Sequence, residues 1–375
     1  MRFNKESIWQ TSIFNDIVER RTEKYNPSKN NQNLIDIELE SLSSHTGELL
    51  TTFDSRKQKS TKNIFYPKDI LYGKLRPYLR KFYFSNFKGC CSTEIWVLHS
   101  TIINNSYLYQ YIQSDKFNTL ANLTFGSKMP RADWDIISNS EISYPDMHEQ
   151  EKVALFLSEI DERIQTQSKI IELKQSLIKD IEDKILWKST NTHTKPIREF
   201  LTEINEKSII QNQYPLLSST KKGLFLQADY FNKEAASSNN IGYKIVHKGD
   251  IIISPQNLWM GNITYNDKFD NGLVSPSYRI YKVKEEYNAF YISRILMSYR
   301  ALSLYKNISE QGASIVRRNL NIDAFNELCF PIPDIKKQDE VGLFLSKLHQ
   351  ELNSEIEILR QLKNQKKYLL CNMFI

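Results

Sequence analysis

Residues 145–158 read PDMHEQEKVALFLS, and residues 333–346 read PDIKKQDEVGLFLS. Eight of the fourteen positions are identical at a constant offset of 188, from the leading Pro-Asp pair to the final serine. Agreement of this extent at a single offset indicates an internal duplication, which has to be recognised before any shorter motif is interpreted. The chain is therefore expected to consist of two copies of one unit.

Both duplicated stretches lead into long amphipathic helices, predicted over residues 146–187 and 334–375. Apolar side chains recur at alternating steps of four and three in each copy. A seam with a period of about 3.5 residues and charged flanks is typical of a coiled coil, and residues 151–186 would extend about 54 Å. The alternative is an ordinary amphipathic helix on a globular domain. The predicted interface residues are Val153, Leu157, Ile160, Ile164, Ile171, Ile178, Ile181, Val341, Leu345, Leu348, Leu352, Leu359, Leu362 and Leu369.

The segments before the helices resemble each other more weakly but in the same order, for example residues 69–71 with 250–252 and residues 89–92 with 272–275. Runs rich in Ile, Tyr, Phe and Val predict strands at 82–84, 95–98, 251–253 and 278–283, and helices are predicted at 107–118 and 289–305. The predicted fold class is α+β. Residues 1–145 and 197–333 form two globular domains, and the polar residues 188–196 are the expected linker.

Composition excludes a membrane protein, because no run approaches the ~18 apolar residues of a membrane span. The N-terminal residues have no signal-peptide pattern, and the four cysteines, Cys90, Cys91, Cys329 and Cys371, form no C-x-x-C pair. We therefore expect a cytoplasmic protein with reduced cysteines and no membrane partner.

Charge is distributed unevenly along the chain. The net charge of +6 is too small to identify a nucleic-acid partner, but residues 56–88 contain ten basic residues against the single acid Asp69. This window therefore carries +9, and the remainder of the chain is net acidic. The imbalance favours a polyanion as the partner of the first domain.

Catalytic motifs are missing. The sequence contains neither the phosphate-binding G-x-x-x-x-G-K-[ST] loop nor G-x-G-x-x-G, and its six histidines have no metal-ligand spacing. Asp146 with Glu172 and Lys174 imitates a nuclease site, but the last two residues lie within a predicted helix, where residues two apart face different directions. We therefore expect no catalytic, cofactor or metal site in this chain.

Binding residues are better supported, because cations alternate with aromatic residues in Tyr72-Gly73-Lys74-Leu75-Arg76-Pro77-Tyr78-Leu79-Arg80-Lys81. Such a mixture suits phosphate contact and base reading, in which Arg, Lys, Asn and Gln donate to base edges. A solvated basic turn is the alternative. The residues predicted to contact DNA are Ser44, Lys74, Arg76, Tyr78, Arg80, Lys81, Lys128 and Arg131 in the first half, and Ser219, Lys221, Lys222, Gln256, Asn257, Trp259, Asn262, Arg317 and Arg318 in the second.

Residues 69–79, the following Cys91-Ser92-Thr93-Glu94, and Pro145 with Glu149-Gln150 before a long helix resemble the specificity subunits of type I restriction-modification systems. The resemblance covers essentially the whole chain. The second half departs from it, since Ser254-Pro255-Gln256-Asn257 replaces the Gly-Lys-Leu-Arg-Pro pattern.

The resemblance implies two target-recognition domains separated by two long helices that pack antiparallel with pseudo-twofold symmetry. Each domain would read one half of an asymmetric, bipartite site in double-stranded DNA. Two methylation subunits, which bring S-adenosylmethionine, would dock on the chain for adenine-N6 methylation. The sequence leaves open whether restriction subunits with ATP and Mg join them. A coiled-coil protein-interaction scaffold without sequence-specific DNA binding is the rival hypothesis, and a self-sufficient nuclease or methyltransferase is disfavoured by the missing motifs.

Overall fold

The computed structural model describes residues 9–29, 32–123, 129–188, 192–221, 223–230, 239–311 and 318–374. The chain divides into two compact units. Unit 1 is Met1–Ser168 with Glu357–Ile375, and unit 2 is Lys169–Ile356. These boundaries fall within the two long helices and not at the predicted domain ends. Each long helix therefore contributes one part to unit 1 and the other part to unit 2.

Unit 1 mixes short strands with short helices before the first long helix. Its elements are β1 Gln10–Ile13, α1 Phe14–Ile17, β2 Glu19–Arg20, β3 Lys24–Tyr25, β4 Ile35–Ile37, β5 Phe53–Asp54, β6 Lys62–Phe65, β7 Ile70–Gly73, β8 Phe82–Phe84, β9 Gly89–Cys91, β10 Ile95–His99, α2 Asn105–Tyr111, α3 Asp115–Ala121, α4 Trp134–Ser138, β11 Glu141–Tyr144 and the start of α5 Met147–Trp187.

Unit 2 follows a similar succession and adds the short helix Gln227–Tyr230 and the strands Ser309–Gln311 and Arg318–Leu320 among its described residues. Its elements are β12 His193–Pro196, α6 Ile197–Phe200, β13 Leu201–Ile204, β14 Leu217–Thr220, β15 Gly223–Leu226, α7 Gln227–Tyr230, β16 Lys244–His247, β17 Ile251–Ile253, β18 Ile263–Tyr265, β19 Asn271–Val274, β20 Arg279–Val283, α8 Ala289–Leu296, α9 Tyr299–Asn307, β21 Ser309–Gln311, β22 Arg318–Leu320, α10 Ile322–Asn326, β23 Cys329–Ile332 and the start of α11 Ile335–Met373.

The duplication is visible in the strand order of the sheets. Each unit has a four-stranded antiparallel sheet of matching order, β2-β10-β7-β8 in unit 1 and β13-β20-β17-β18 in unit 2. In each unit the first and last strands pair antiparallel, β1 with β11 and β12 with β23. Unit 1 also has a five-stranded sheet, β3-β6-β9-β4-β5. The predicted α+β class and internal duplication are confirmed.

The repeated Pro-Asp and Gln residues join each long helix to its globular part. Asp146 caps α5 by accepting from the Glu149 backbone N–H at 3.0 Å, and Asp334 does the same for Lys337 of α11. Gln150 is buried; its Nε2 donates to the Pro145 carbonyl and its Oε1 accepts from the Asn104 N–H. Gln338 makes the corresponding bonds to Pro333 and Asn288. The strongest sequence repeat is therefore a structural joint.

Two predicted helices are each interrupted. The helix predicted at 107–118 is α2 followed by α3, and the helix predicted at 289–305 is α8 followed by α9. The second helix of each pair begins at a serine N-cap: Ser114 Oγ accepts from the Phe117 N–H and Ser298 Oγ from the Ala301 N–H, both at 3.3 Å. A serine that caps a helix ends the preceding one, since its own backbone is extended. The prediction of single helices was wrong for this reason.

The expected linker at 188–196 is partly ordered as a strand. His193–Pro196 form β12 and pair in register with Ile332–Cys329 of β23. Entry and exit of the second globular part therefore lie side by side in one two-stranded sheet.

The long helices run antiparallel within each unit. In unit 2, Lys174 Nζ donates to Glu355 Oε1 at 2.7 Å, while Glu182 Oε1 lies 2.9 Å from His349 Nε2. Residue numbers thus rise along α5 as they fall along α11. All fourteen predicted interface side chains are described, and each is buried or half-buried. The predicted antiparallel packing of the two helices is confirmed.

Candidate nucleic-acid interface

The loop after β7 in unit 1 is held in a strained, well-bonded conformation. Arg76 and Arg80 have left-handed backbones, with φ of 52° and 46°, on either side of a 3-10 turn at Pro77–Leu79. Each such residue costs on the order of 1–3 kcal/mol and persists only where the surroundings enforce it. Here the Arg76 N–H donates to the Pro130 carbonyl at 2.8 Å, and the Arg80 carbonyl accepts from the His45 N–H at 3.0 Å. The loop is therefore pre-formed.

The exposed side chains of this loop are those of Arg76 and Tyr78, and the Tyr78 residue is 53% exposed. Because the backbone is fixed at Arg76, its guanidinium is presented to solvent from a rigid base. A pre-positioned arginine can donate two hydrogen bonds to guanine O6 and N7 in the major groove. Arg76 is therefore exposed on a fixed backbone, and its contact with a base stays a prediction.

Neighbouring cations are engaged within the protein. Arg80 Nη2 lies 2.7 Å from Asp115 Oδ1, and both side chains are about a third or more exposed. Arg131 makes two bonds to Glu94, at 3.0 and 3.2 Å. Surface ion pairs of this kind contribute little to the free energy of unfolding, about 0.2–1 kcal/mol each. Both arginines position the loop in the free protein, and their contact with DNA stays a prediction.

Lys81 and Ser44 make contacts within unit 1. Lys81 Nζ donates to the Leu39 carbonyl at 2.6 Å, and burial lowers the pKa of this ammonium. Ser44 pairs with Lys81 in an isolated β-bridge, so the loop around Ser44 braces the strand that follows Arg80. Both residues thus make contacts within unit 1, and their contact with DNA stays a prediction. Lys128, also predicted here, lies outside the described residues.

Unit 2 presents a different set of side chains at the same place. Arg318 lies 4.3 Å above the ring of Trp259, and its backbone N–H donates to the Gln256 carbonyl at 3.2 Å. Gln256 is exposed and Asn257 is half-buried. The structure therefore brings Gln256, Asn257, Trp259 and Arg318 together as a mixed amide, aromatic and cationic surface.

Two further predicted residues of unit 2 bond to each other. Ser219 is buried, and its Oγ donates to Asn262 Oδ1 at 3.0 Å, while Asn262 Nδ2 returns to the Ser219 carbonyl at 3.3 Å. These two hydrogen bonds hold strand β14 against the loop before β18. Lys221 is exposed, whereas Lys222 and Arg317 lie outside the described residues.

Sequence analysis missed three cations that belong to the same surface of unit 1. Strand β2 pairs with β10, which places Arg20 opposite Leu98 and brings Arg20, Arg21 and Lys24 beside Lys74. These three cations precede the basic window, which begins at residue 56. Their position beside Lys74 depends on pairing between distant strands, and such pairing leaves no signal in the local sequence. Only the basic cluster in Glu19-Arg20-Arg21-Thr22-Glu23-Lys24 could have suggested them.

The described residues hold no group of three or more His, Cys, Asp and Glu side chains arranged for a metal ion. Of the suspected nuclease trio, Asp146 is the helix cap described above and Lys174 pairs with Glu355. All four cysteines are free, and burial raises the pKa of the Cys90 thiol to about 12, far from a reactive thiolate. Across the described ranges, no helix is long and apolar enough to cross a membrane.

Residues 6–175 match the family model described as the type I restriction modification DNA specificity domain. The specificity subunit of the type I restriction enzyme EcoDI from Escherichia coli is 24% identical over 131 residues, which is 35% of this chain and 29% of that protein. The aligned stretch therefore spans less than a third of the curated relative.

Solved structures of similar fold align with a much longer part of this chain. The S subunit of a type I restriction-modification system from M. genitalium has a TM-score of 0.60 at 14% identity, covering 100% of this chain and 98% of that one. A chain from a structure of type I R-M complex assembly and conformational transition has a TM-score of 0.57 at 14% identity, covering 96% of each chain. At such identity these structures establish the fold. Residues 6–175 thus match the DNA specificity domain of type I restriction-modification systems, and the chain as a whole has the fold of the solved S subunit.

Proposed function

We propose that this chain is the non-catalytic DNA-reading subunit of a type I restriction-modification complex and that it recognises an asymmetric site in two halves, one per unit. The observation that carries the proposal is the contrast between two surfaces on one repeated fold. The four-stranded sheets have the same strand order, yet unit 1 presents a rigid Arg76 loop and unit 2 presents Gln256, Trp259 and Arg318. Two sheets of the same strand order that present different hydrogen-bond donors are suited to reading different bases.

Arg76→Ala tests the contribution of unit 1. The substitution keeps a Cβ at the left-handed position, so the backbone strain is unchanged while the guanidinium is lost. We expect the affinity for the specific site to fall by about 1–3 kcal/mol, with recognition relaxed in one half only, when the full chain is assayed with its methylation subunits.

The matched control is Arg56→Ala, which removes another exposed arginine of unit 1 that is paired with Asp54 at 2.8 Å. This control should leave the ratio of specific to non-specific affinity unchanged. Wild-type specificity in the Arg76 variant would contradict its assignment to base reading.

We further propose that the chain scaffolds two methylation subunits for adenine-N6 methylation, with S-adenosylmethionine supplied by those partners. Leu155 of α5 and Leu343 of α11 occupy equivalent repeat positions, and both lie off the helix seam with exposures of 60% and 59%. An exposed leucine gains about 1.5–3 kcal/mol on full burial. A surface presented twice is suited to two copies of one partner.

Leu155→Arg and Leu343→Arg should each reduce the complex from two methylation subunits to one, and the double variant should bind none, as counted by native mass spectrometry. Leu173→Arg is the control, since Leu173 is 72% exposed but its repeat counterpart is Gln361. Retention of both partners by the double variant would exclude this docking surface.

A further inference from the structure

A small cationic cavity lies beside the Arg76 loop of unit 1. It has a volume of about 230 Å³, and its lining includes Arg20, Arg21, Lys24 and Lys74 together with the hydroxyl side chains of Thr22 and Thr93. Its described lining contains no carboxylate. Four cations therefore converge on a space too small for a large ligand.

Contacts within unit 1 hold three of these head groups, those of Arg20, Arg21 and Lys24, in place. Arg20 lies 4.5 Å above the Trp134 ring, and Lys24 Nζ donates to Asn63 Oδ1 at 2.6 Å. Arg21 is 2.9 Å from the buried Asp69 carboxylate, which is the one acidic partner of the four cations in the described part of the chain. Three cationic residues, Arg20, Lys24 and Lys74, thus line the cavity without an acidic partner among the described residues, and an anion would stabilise this arrangement.

We infer that this cavity binds a backbone phosphodiester of double-stranded DNA. Arginine, lysine and threonine are the side chains that contact phosphate oxygens, and such contacts fix the register of a protein on the duplex without reading sequence. The inference rests on the proposed function. It adds the segment Arg20–Lys24, far from the basic window in sequence, to the DNA-binding surface.

The position of the cavity favours DNA over a free anion. Lys74 lines the cavity and stands two residues before Arg76, the exposed arginine of the strained loop. A duplex read by Arg76 would therefore bring its backbone close to the cavity. Because the loop is pre-formed, the spacing between the base contact and the phosphate contact is set in the free protein.

At the matching positions that the structure describes, unit 2 keeps the cation of Lys24, as Lys207, but not those of Arg20 and Lys74. In the paired strands, Arg20 stands opposite Leu98 in unit 1, whereas Glu203 stands opposite Tyr281 in unit 2. Glu203 is paired with Arg279 at 2.6 Å, and the repeat counterpart of Lys74 is Pro255. The two units therefore differ in electrostatic anchoring, and the salt-dependent part of DNA affinity should reside mainly in unit 1.

The double variant Arg20→Gln with Lys24→Gln tests the inference in the full complex with methylation subunits. Loss of one phosphate contact should make the slope of log K against log salt shallower by about one, with affinity lowered equally for specific and non-specific duplexes. Between 50 and 200 mM salt, the variant should consequently lose roughly three- to four-fold less affinity than the wild type does. The charge-conserving pair Arg20→Lys with Lys24→Arg should keep the wild-type slope.

Lys207→Gln is the matched control, because Lys207 is the repeat counterpart of Lys24 in unit 2, and it should leave the slope unchanged. If the salt slope were unchanged in the Gln double variant while the wild-type complex still bound its specific site, the phosphate site would be wrong but the proposed function would stand. Absence of specific binding by the wild-type complex would instead overturn the proposed function. Titration with inorganic phosphate at constant ionic strength distinguishes a DNA phosphate from a free anion as the ligand. If the Gln double variant lost phosphate binding but kept the wild-type salt slope for DNA, the cavity would bind a free anion and the proposal would be contradicted.

Discussion

Lys366→Ala should lower the free energy of unfolding by about 3–5 kcal/mol, because it removes one partner of a largely buried ion pair. Lys366 Nζ donates to Gln113 Oε1 at 2.6 Å and to the Asp161 carboxylate, which also accepts from Gln110 Nε2 at 3.1 Å. The Lys366 and Asp161 side chains are only 11% and 19% exposed. Removing the lysine would leave the carboxylate largely buried without its cation.

The size of this effect is measured by urea denaturation of the full chain. Lys347→Ala removes an exposed lysine from the same helix and should change stability by less than about 0.5 kcal/mol. Asp161→Leu combined with Lys366→Leu should recover most of the loss, because apolar replacement of both partners leaves no buried charge. A Lys366→Ala variant as stable as the Lys347→Ala control would mean that the pair does not hold α11 on unit 1.

Exchange of residues 193–332 for the matching segment of a type I specificity subunit of similar fold should replace one half of the methylated motif and leave the other half unchanged. The exchanged segment begins and ends in β12 and β23, which pair with each other, so both cut points fall at one two-stranded sheet. The Gln338 joint to Pro333 and the helix cap at Asp334 remain with the recipient chain. The reciprocal exchange of residues 10–144 should replace only the opposite half.

Sequencing of modified bases in the host reads the outcome of both exchanges directly. A hybrid that changes both halves at once would show that the two units do not read independently. A hybrid that keeps the original motif would remove the second unit from recognition.

Periodic and repeated features were predictable from the sequence. The seam from Val153 to Ile181 and its copy from Val341 were predicted because a helix that packs along its length must repeat apolar residues at its own period. The start of each long helix was also predicted to within one residue, at positions 146 and 334, where the structure has the caps Asp146 and Asp334.

Features created by distant contacts were not predictable. Ser114 and Ser298 interrupt helices whose apolar pattern continues through them, so periodicity alone gave one helix where the structure has two. Arg20 and Lys24 approach Lys74 only through the pairing of distant strands, β2 with β10 and β3 with β6. Lys81 belongs to the basic window but donates to Leu39, because its partner is a backbone carbonyl that composition does not reveal.

The central claim, that one chain reads two different half-sites through two copies of one fold, is tested most directly by the methylome of a host that carries this chain with its methylation subunit. The account predicts adenine methylation at a motif of two short, unlike specified segments separated by unspecified bases, and the loss of that motif when this chain is deleted. Methylation confined to one contiguous motif, or a motif that persists without this chain, would contradict it.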